Sequence, residues 1–266
     1  MDSQIIIDAH CHIFPDKIAK KAAKSIGDFY DIPMRHIGNS EELISSGKQI
    51  GVVKYLVCST ATKPDQVESI NNFIKSECNV HPEFIGFGTL HPHMDDLEKE
   101  IERIKEMGLH GIKLHPDFQG FAIDDDEVGD IYRLAQGKLP ILIHMGDDRY
   151  DGSNPIRLVK ICEKYPDLKI LAAHFGGYQK WDVAEYYLKG YKNLRFDTSS
   201  TLAIIGPERG YELMKSLGIS NFFFGTDFPM WDHKEEYDRF MQIPLSKEER
   251  EAVFYKNFAE FLDIPL

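Results

Sequence analysis

Residues 139–177 read LPILIHMGDDRYDGSNPIRLVKICEKYPDLKILAAHFGG. An apolar run at 140–145 (PILIHM) has the length and branching of a strand. A helix-length amphipathic stretch at 155–164 follows it, opened by Pro155, and a second apolar run comes at 169–174 (KILAAH). Strand, helix and strand in this order predict a parallel β-α-β unit. Both strands end in a histidine, His144 and His174.

The same alternation extends in both directions. Strands are expected at 5–10, 54–60, 84–90, 111–115, 140–145, 169–174, 194–199 and 221–227. Helices are expected at 16–26, 65–78, 95–107, 125–135, 155–164, 181–188, 208–217, 235–240 and 247–262. Eight parallel β-α-β units close into a barrel or remain an open sheet. Polar residues end many different strands, and barrel sites are built at the C-terminal ends of their strands, so the expected fold is a (β/α)₈ TIM barrel of the α/β class. An open sheet would concentrate its site at one switch point, usually with a glycine-rich phosphate loop, and neither G-x-G-x-x-G nor G-x-x-x-x-G-K-[ST] occurs. The 266-residue length fits one such barrel, so one domain is expected over 1–266. Residues 27–50 read as a long irregular segment, a lid or excursion over the site.

His10 and His12 flank Cys11 at the end of the first strand. Residues two apart on a strand face the same way, so both imidazoles can reach one metal while Cys11 packs outward as a small core residue. Taken alone, this pair reads equally well as polar turn residues. His144, His174 and Asp227 end three further strands. Imidazoles and a carboxylate from several strand ends suit a divalent metal site with a position left open for water. Asp8 and Asp197 are candidates to orient a ligand imidazole. Phe14, Phe118, Phe121, Phe175, Phe228 and Trp231 follow strand ends, where they either line an apolar pocket or pack the loops.

The segments IDAHCHIF, GIKLHP, ILIHMG, LAAHFGG, FGTDFP and YKNFAEFL span Ile7 to Leu262. In this order and spacing the chain resembles the amidohydrolase superfamily. It is similar to the amidohydrolase-related branch of metal-dependent hydrolases and of decarboxylases of the aminocarboxymuconate-semialdehyde and γ-resorcylate types. The resemblance implies a distorted barrel with His10, His12, His144 and Asp227 as metal ligands. Asp227 would also exchange a proton, and His174 would act beside the metal as a catalytic group. Zinc is the expected ion, one rather than two. For Lys113 three roles stand open: a carbamylated bridge between two metals, a cation for a substrate carboxylate, or a structural partner of Asp197. His115 stands open between a substrate contact and a partner that orients a metal ligand, and Arg149 reads first as a loop charge paired with Asp147 or Asp148 and second as a substrate contact.

The expected activity is metal-dependent hydrolysis of a small amide, ester or lactone by an activated water. Decarboxylation of a small carboxylic acid is the alternative, and a non-catalytic metal-binding barrel the third reading. A formal charge of −12 argues against nucleic acid as a partner. Four cysteines without a C-x-x-C pair, no apolar run of membrane-spanning length, and no basic-then-apolar pattern at residues 1–9 lead us to expect a cytoplasmic enzyme with a small-molecule substrate and no membrane partner. Assembly into a homo-oligomer is compatible with the sequence.

Overall fold

In the computed structural model, which describes residues 4–265, eight parallel strands are hydrogen-bonded in chain order. They are β1 (Ile6–His12), β2 (Val52–Cys58), β3 (Phe84–Thr89), β4 (Gly111–Leu114), β5 (Ile141–Ile143), β6 (Ile170–Ala172), β7 (Leu194–Asp197) and β8 (Phe222–Phe223). The seam between β1 and the segment after β8 is closed by Ala9 N donating to Phe224 O at 2.8 Å and Asp227 N donating to His10 O at 2.9 Å. The expectation of one domain over 1–266 reaches residues 1–3 and 266, which lie outside the described residues.

The intervening helices include α1 (Asp16–Tyr30), α2 (Ser40–Lys48), α3 (Val67–Val80), α4 (Leu97–Glu106), α5 (Pro116–Gln119), α6 (Gly129–Ala135), α7 (Pro155–Lys164), α8 (Trp181–Tyr187), α9 (Leu202–Leu217) and α10 (His233–Met241). The last stretch runs through α11 (Lys247–Glu251), a π turn and α12 (Asn257–Leu262). The apolar core lies between strands and helices, and a second buried cluster fills the barrel interior. Phe258 and Phe261 of α12 pack into that interior cluster beside Phe223.

The segment 27–50 departs from the sequence expectation of irregular chain. Helix α1 continues to Tyr30 and ends at Asp31 in a left-handed conformation, and α2 is a helix of nine residues. Asn39 caps α2 by accepting a hydrogen bond from Glu42 N, and Glu41 and Glu42 sit in its first turn, where carboxylates favour the helix N-terminus. Helix α9 begins six residues before the expected start at 208, with a break at Gly206 (φ 76°) ahead of Pro207.

A bulge in β1 aims the first histidines. Between Asp8 and Cys11 the register advances three residues while β2 advances only from Tyr55 to Val57. Below the bulge Ile7 and Ala9 face the interior cluster, whereas Cys11 and Ile13 above it join the outer core. The extra residue reverses the alternation, so His10 and His12 turn inward at the top of the barrel, a use of bulges common beside functional sites.

Candidate metal centre

His10, His12 and Asp227 converge at the top of the barrel. Their facing atoms lie within 4.8 Å of one another. His10 Nε2 and His12 Nε2 are 3.2 Å apart, and Asp227 Oδ1 is 3.6 Å from the first and 3.2 Å from the second. His144 comes from β5 but stands one residue away from this trio. Its Nδ1 lies 3.0 Å from His174 Nε2, and the His174 ring stacks on His10 at 5.2 Å.

A run of small polar residues after β7 fixes these groups. Asp197 Oδ2 accepts from His10 Nδ1 at 3.0 Å, which leaves His10 Nε2 unprotonated and facing inward. Ser199 gives its hydroxyl proton to Asp197 Oδ1, so His174 Nδ1 must donate to Ser199 Oγ at 2.9 Å and His174 Nε2 is the free nitrogen. Ser200 donates to Asp227 Oδ2 at 2.6 Å and itself accepts from Trp231 Nε1 at 3.0 Å. Asp197 is the acid anticipated to orient an imidazole. Asp8 instead accepts from the His10 backbone N–H and from Thr226, and so braces the strands.

Charge at the centre follows from burial and neighbours. Burial alone would raise Asp227, but His10 and a hydrogen bond from His12 hold its carboxyl well below the usual range. The same opposition leaves Asp197 at about 2, held down by His10. Burial lowers His174 to about 4 and lowers His10 and His144 as well, so these imidazoles are neutral near pH 7. His12 is the exception: Cys58 and Asp227 outweigh its burial and raise it to about 9.

Lys113 is fully buried beneath the trio, with Nζ 3.1 Å from His10 Nε2. It does not pair with Asp197, whose oxygens are taken by His10 and Ser199, and it does not line the cavity above the site. A direct salt bridge to a substrate carboxylate in that cavity is therefore not its place. Arg149 also misses the cavity. It grips Asp147 through Nε and Nη2 and donates to Phe29 O at 2.5 Å, with its guanidinium 4.5 Å above the Phe29 ring. The ion-pair reading of Arg149 is the observed one, and its structural effect is to clamp the end of α1.

The cavity measures about 960 Å³ and opens directly onto His12, His115, His144 and Asp227. Its roof is α1, which presents Ile18, Ala22, Ser25, Ile26 and Phe29 at helical spacing. Tyr30 follows at the helix end. Its hydroxyl lies 2.9 Å from His115 Nε2 and 3.4 Å from His144 Nε2. His115 Nδ1 accepts from Phe118 N, so its Nε2 carries the proton donated to Tyr30, whose own proton faces the unprotonated His144 Nε2. Of the aromatics following strand ends, Phe14 and Phe118 line the cavity, while Phe121, Phe175 and Phe228 are buried in the core. Trp231 serves through Ser200.

Tyr30, Asp117, Ser199 and Ser200 were not anticipated from sequence. Asp117 lines the cavity 3.8 Å from His144 Nε2, accepts from Ser153 at 2.7 Å, and is raised by burial to about 6. The polar run DTSST at 197–201, directly after a strand, was the available signal for the two serines.

Solved structures share this architecture. A 5-carboxyvanillate decarboxylase from Sphingomonas paucimobilis is 17% identical, with a TM-score of 0.78 over 99% of this chain and 100% of that one. A 2,6-dihydroxybenzoate decarboxylase bound to 2,6-dihydroxybenzoate is 14% identical, with a TM-score of 0.74 over 99% and 100%. A dihydroxybenzoic acid decarboxylase from Polaromonas sp. JS666, with manganese and 2-nitroresorcinol bound, is 16% identical, with a TM-score of 0.73 over 99% and 97%. At these identities the likeness shows the shared fold, the (β/α)₈ barrel. The amidohydrolase family model matches residues 7–264, nearly the whole sequence, and the chain therefore belongs to the amidohydrolase family.

Proposed function

We propose that this protein is a metal-dependent decarboxylase of an aromatic carboxylic acid. The observation that carries the reading is the aromatic-walled cavity, with Phe14, Phe29, Tyr30 and Phe118 in its lining, that ends on His12 and Asp227. Three structures of the same fold act on ring-bearing acids, which supports the same direction. Hydrolysis was the first expectation from sequence and uses the same donors; the similar structures, named as decarboxylases, favour the alternative.

The donor set fits a divalent cation. His10 Nε2 is unprotonated and Asp227 is ionised, both facing one point with His12, which would release its proton to bind an ion there. We assign His10, His12 and Asp227 as ligands of a single ion, with His144 completing the set. Imidazole and carboxylate donors accept zinc or manganese. When bound, such an ion supplies positive charge that holds a substrate carboxylate and stabilises the electron pair released on loss of CO₂.

The chain's own residues do the rest. The net reaction exchanges CO₂ for one proton at the ring carbon. Ionised at rest, Asp227 takes up a proton from solvent and passes it to the ring carbon that CO₂ leaves, while Ser200 fixes its Oδ2. Tyr30 and His115 face the ring and hold its hydroxyl groups. His174, behind His144 and absent from the cavity lining, positions the imidazoles rather than touching substrate.

The experiment is a turnover assay of the protein loaded with manganese or zinc, on hydroxylated benzoic acids and, separately, on esters and lactones. CO₂ release from the acids supports the proposal. Hydrolysis of esters or lactones without CO₂ release from any acid would replace it with the hydrolase reading.

A further inference from the structure

The cavity that supports the decarboxylase reading is unusual in its charge. Among the described residues no lysine or arginine lines it. Two basic side chains for which a substrate role was one reading have other partners, Asp147 for Arg149 and His10 for Lys113. Besides Asp227, the lining carries Asp117 and Asp28, the second already paired with Lys24, so away from the centre the lining offers a ligand no free cation. A carboxylate placed there would lose its hydration with no cation to replace it.

The shape adds a second constraint. Beyond the aromatic mouth of the centre, an apolar arm runs between α1 and α3, lined by Ile18, Ala22, Ile26, Met34, Ile70 and Phe73. The whole volume of about 960 Å³ lies near the top of the roughly 300–1,000 Å³ range of small-molecule pockets, so a single bare ring leaves much of it unfilled. Neutral polar side chains, Thr62, Gln66 and Ser69, also line the cavity, where a neutral oxygen or amide on a ligand can meet them.

We infer that the substrate is a mono-anionic aromatic acid bearing an uncharged, largely apolar extension with a neutral hydrogen-bonding group, and that dicarboxylates are excluded. The carboxylate lies at His12 and Asp227, the ring under Phe29 and Tyr30, and the extension along α1 toward Phe73. This rests on the decarboxylase reading for the reactive end only; the selection itself is a matter of binding.

The test measures calorimetric binding to the manganese-loaded protein with three probes: salicylate, 4-hexyloxysalicylate and the dicarboxylate 4-hydroxyisophthalate. Release of CO₂ is followed in parallel. The alkoxy acid is expected to bind at least ~10-fold more tightly than salicylate, as a few buried methylenes allow, and the dicarboxylate ~100-fold more weakly than the alkoxy acid. Ala22→Phe and, separately, Ser25→Phe fill the arm from α1 and are expected to bring the ratio of alkoxy acid to salicylate affinity toward one. Equal binding of the dicarboxylate, no gain from the alkoxy chain, or ratios unmoved in both folded variants would overturn the inference. The expected binding order without CO₂ from any probe supports the substrate class and defeats the decarboxylase reading alone. CO₂ release from the dicarboxylate as readily as from the alkoxy acid does the reverse.

Discussion

The Ser200 hydroxyl donates to Asp227 Oδ2 at 2.6 Å, leaving Oδ1 directed at His10 and His12. Trp231 Nε1 holds that hydroxyl from the other side at 3.0 Å. Ser200→Ala should free the carboxylate to rotate while leaving every inward-facing donor in place. We expect kcat and metal affinity to fall by roughly 10-fold to 100-fold, with KM much less affected. Steady-state kinetics and a metal titration on the folded variant check this; a change confined to thermal stability would mean Ser200 only packs.

Asp197 plays the corresponding part for His10. Asp197→Asn keeps the shape but can donate its amide N–H toward His10 Nδ1, which favours the wrong tautomer and protonates Nε2. Metal affinity should fall by roughly 10-fold to 100-fold. Affinity equal to that of the unmutated protein would remove Asp197 from the centre.

Arg149 pairs with Asp147, as the first reading of the sequence had it, and clamps α1. Arg149→Ala removes the hydrogen bond to Phe29 O and the stacking on Phe29 and Tyr30. Amide exchange at residues 27–31 should accelerate, and KM should rise several-fold with little change in kcat. Unchanged exchange with a raised KM would restore a direct substrate contact.

A buried carboxyl outside the centre provides a pH signature. Glu236 on α10 is pushed by burial up to about 8, against the lowering effect of Arg239 beside it. Its folded value lies above its unfolded value near 4.5, so the folded state binds the extra proton between these limits. Its contribution to stability is present in full at low pH and is lost as pH rises from about 5 through 8. Glu236→Gln should flatten that decline in chemical-denaturation stability. An identical pH slope in both proteins would show that Glu236 ionises normally.

The parts of this architecture that were legible in sequence are those written locally. Each strand announces itself by a short branched run such as PILIHM, and the histidine or aspartate that ends it marks the top of the barrel. The shared direction of His10 and His12 follows from their spacing, but the bulge that turns them inward does not. Helix α2 was hidden because SEELISSGK has few apolar residues, and its cap and first-turn acids outweigh weak periodicity. Tyr30 could not be placed because only the length and course of α1 carry it back over His115. Ser199 and Ser200 look like loop residues until β7 is set beside β6 and the segment after β8. For Lys113 and Arg149 the sequence left several roles open, and only the fold shows Lys113 beside His10 and Arg149 on Asp147 and the Phe29 carbonyl.

Tyr30 also offers a kinetic test of the cavity. Tyr30→Phe keeps the aromatic roof and removes the hydroxyl that meets His115. Turnover of a hydroxylated acid should fall by roughly 10-fold, with a smaller loss for an acid lacking the ring hydroxyl. Equal losses on both would assign Tyr30 to packing alone.

The central claim, that the aromatic cavity over His12 and Asp227 serves decarboxylation, is tested most directly by a carboxyl-¹³C-labelled hydroxybenzoate in D₂O with the manganese-loaded protein. The account predicts that the label leaves as ¹³CO₂ and bicarbonate and that one deuteron occupies the vacated ring carbon, with both signals lost in Asp227→Asn. Retention of the label in the acid across hydroxylated benzoates, together with metal-dependent cleavage of esters or lactones, would contradict it.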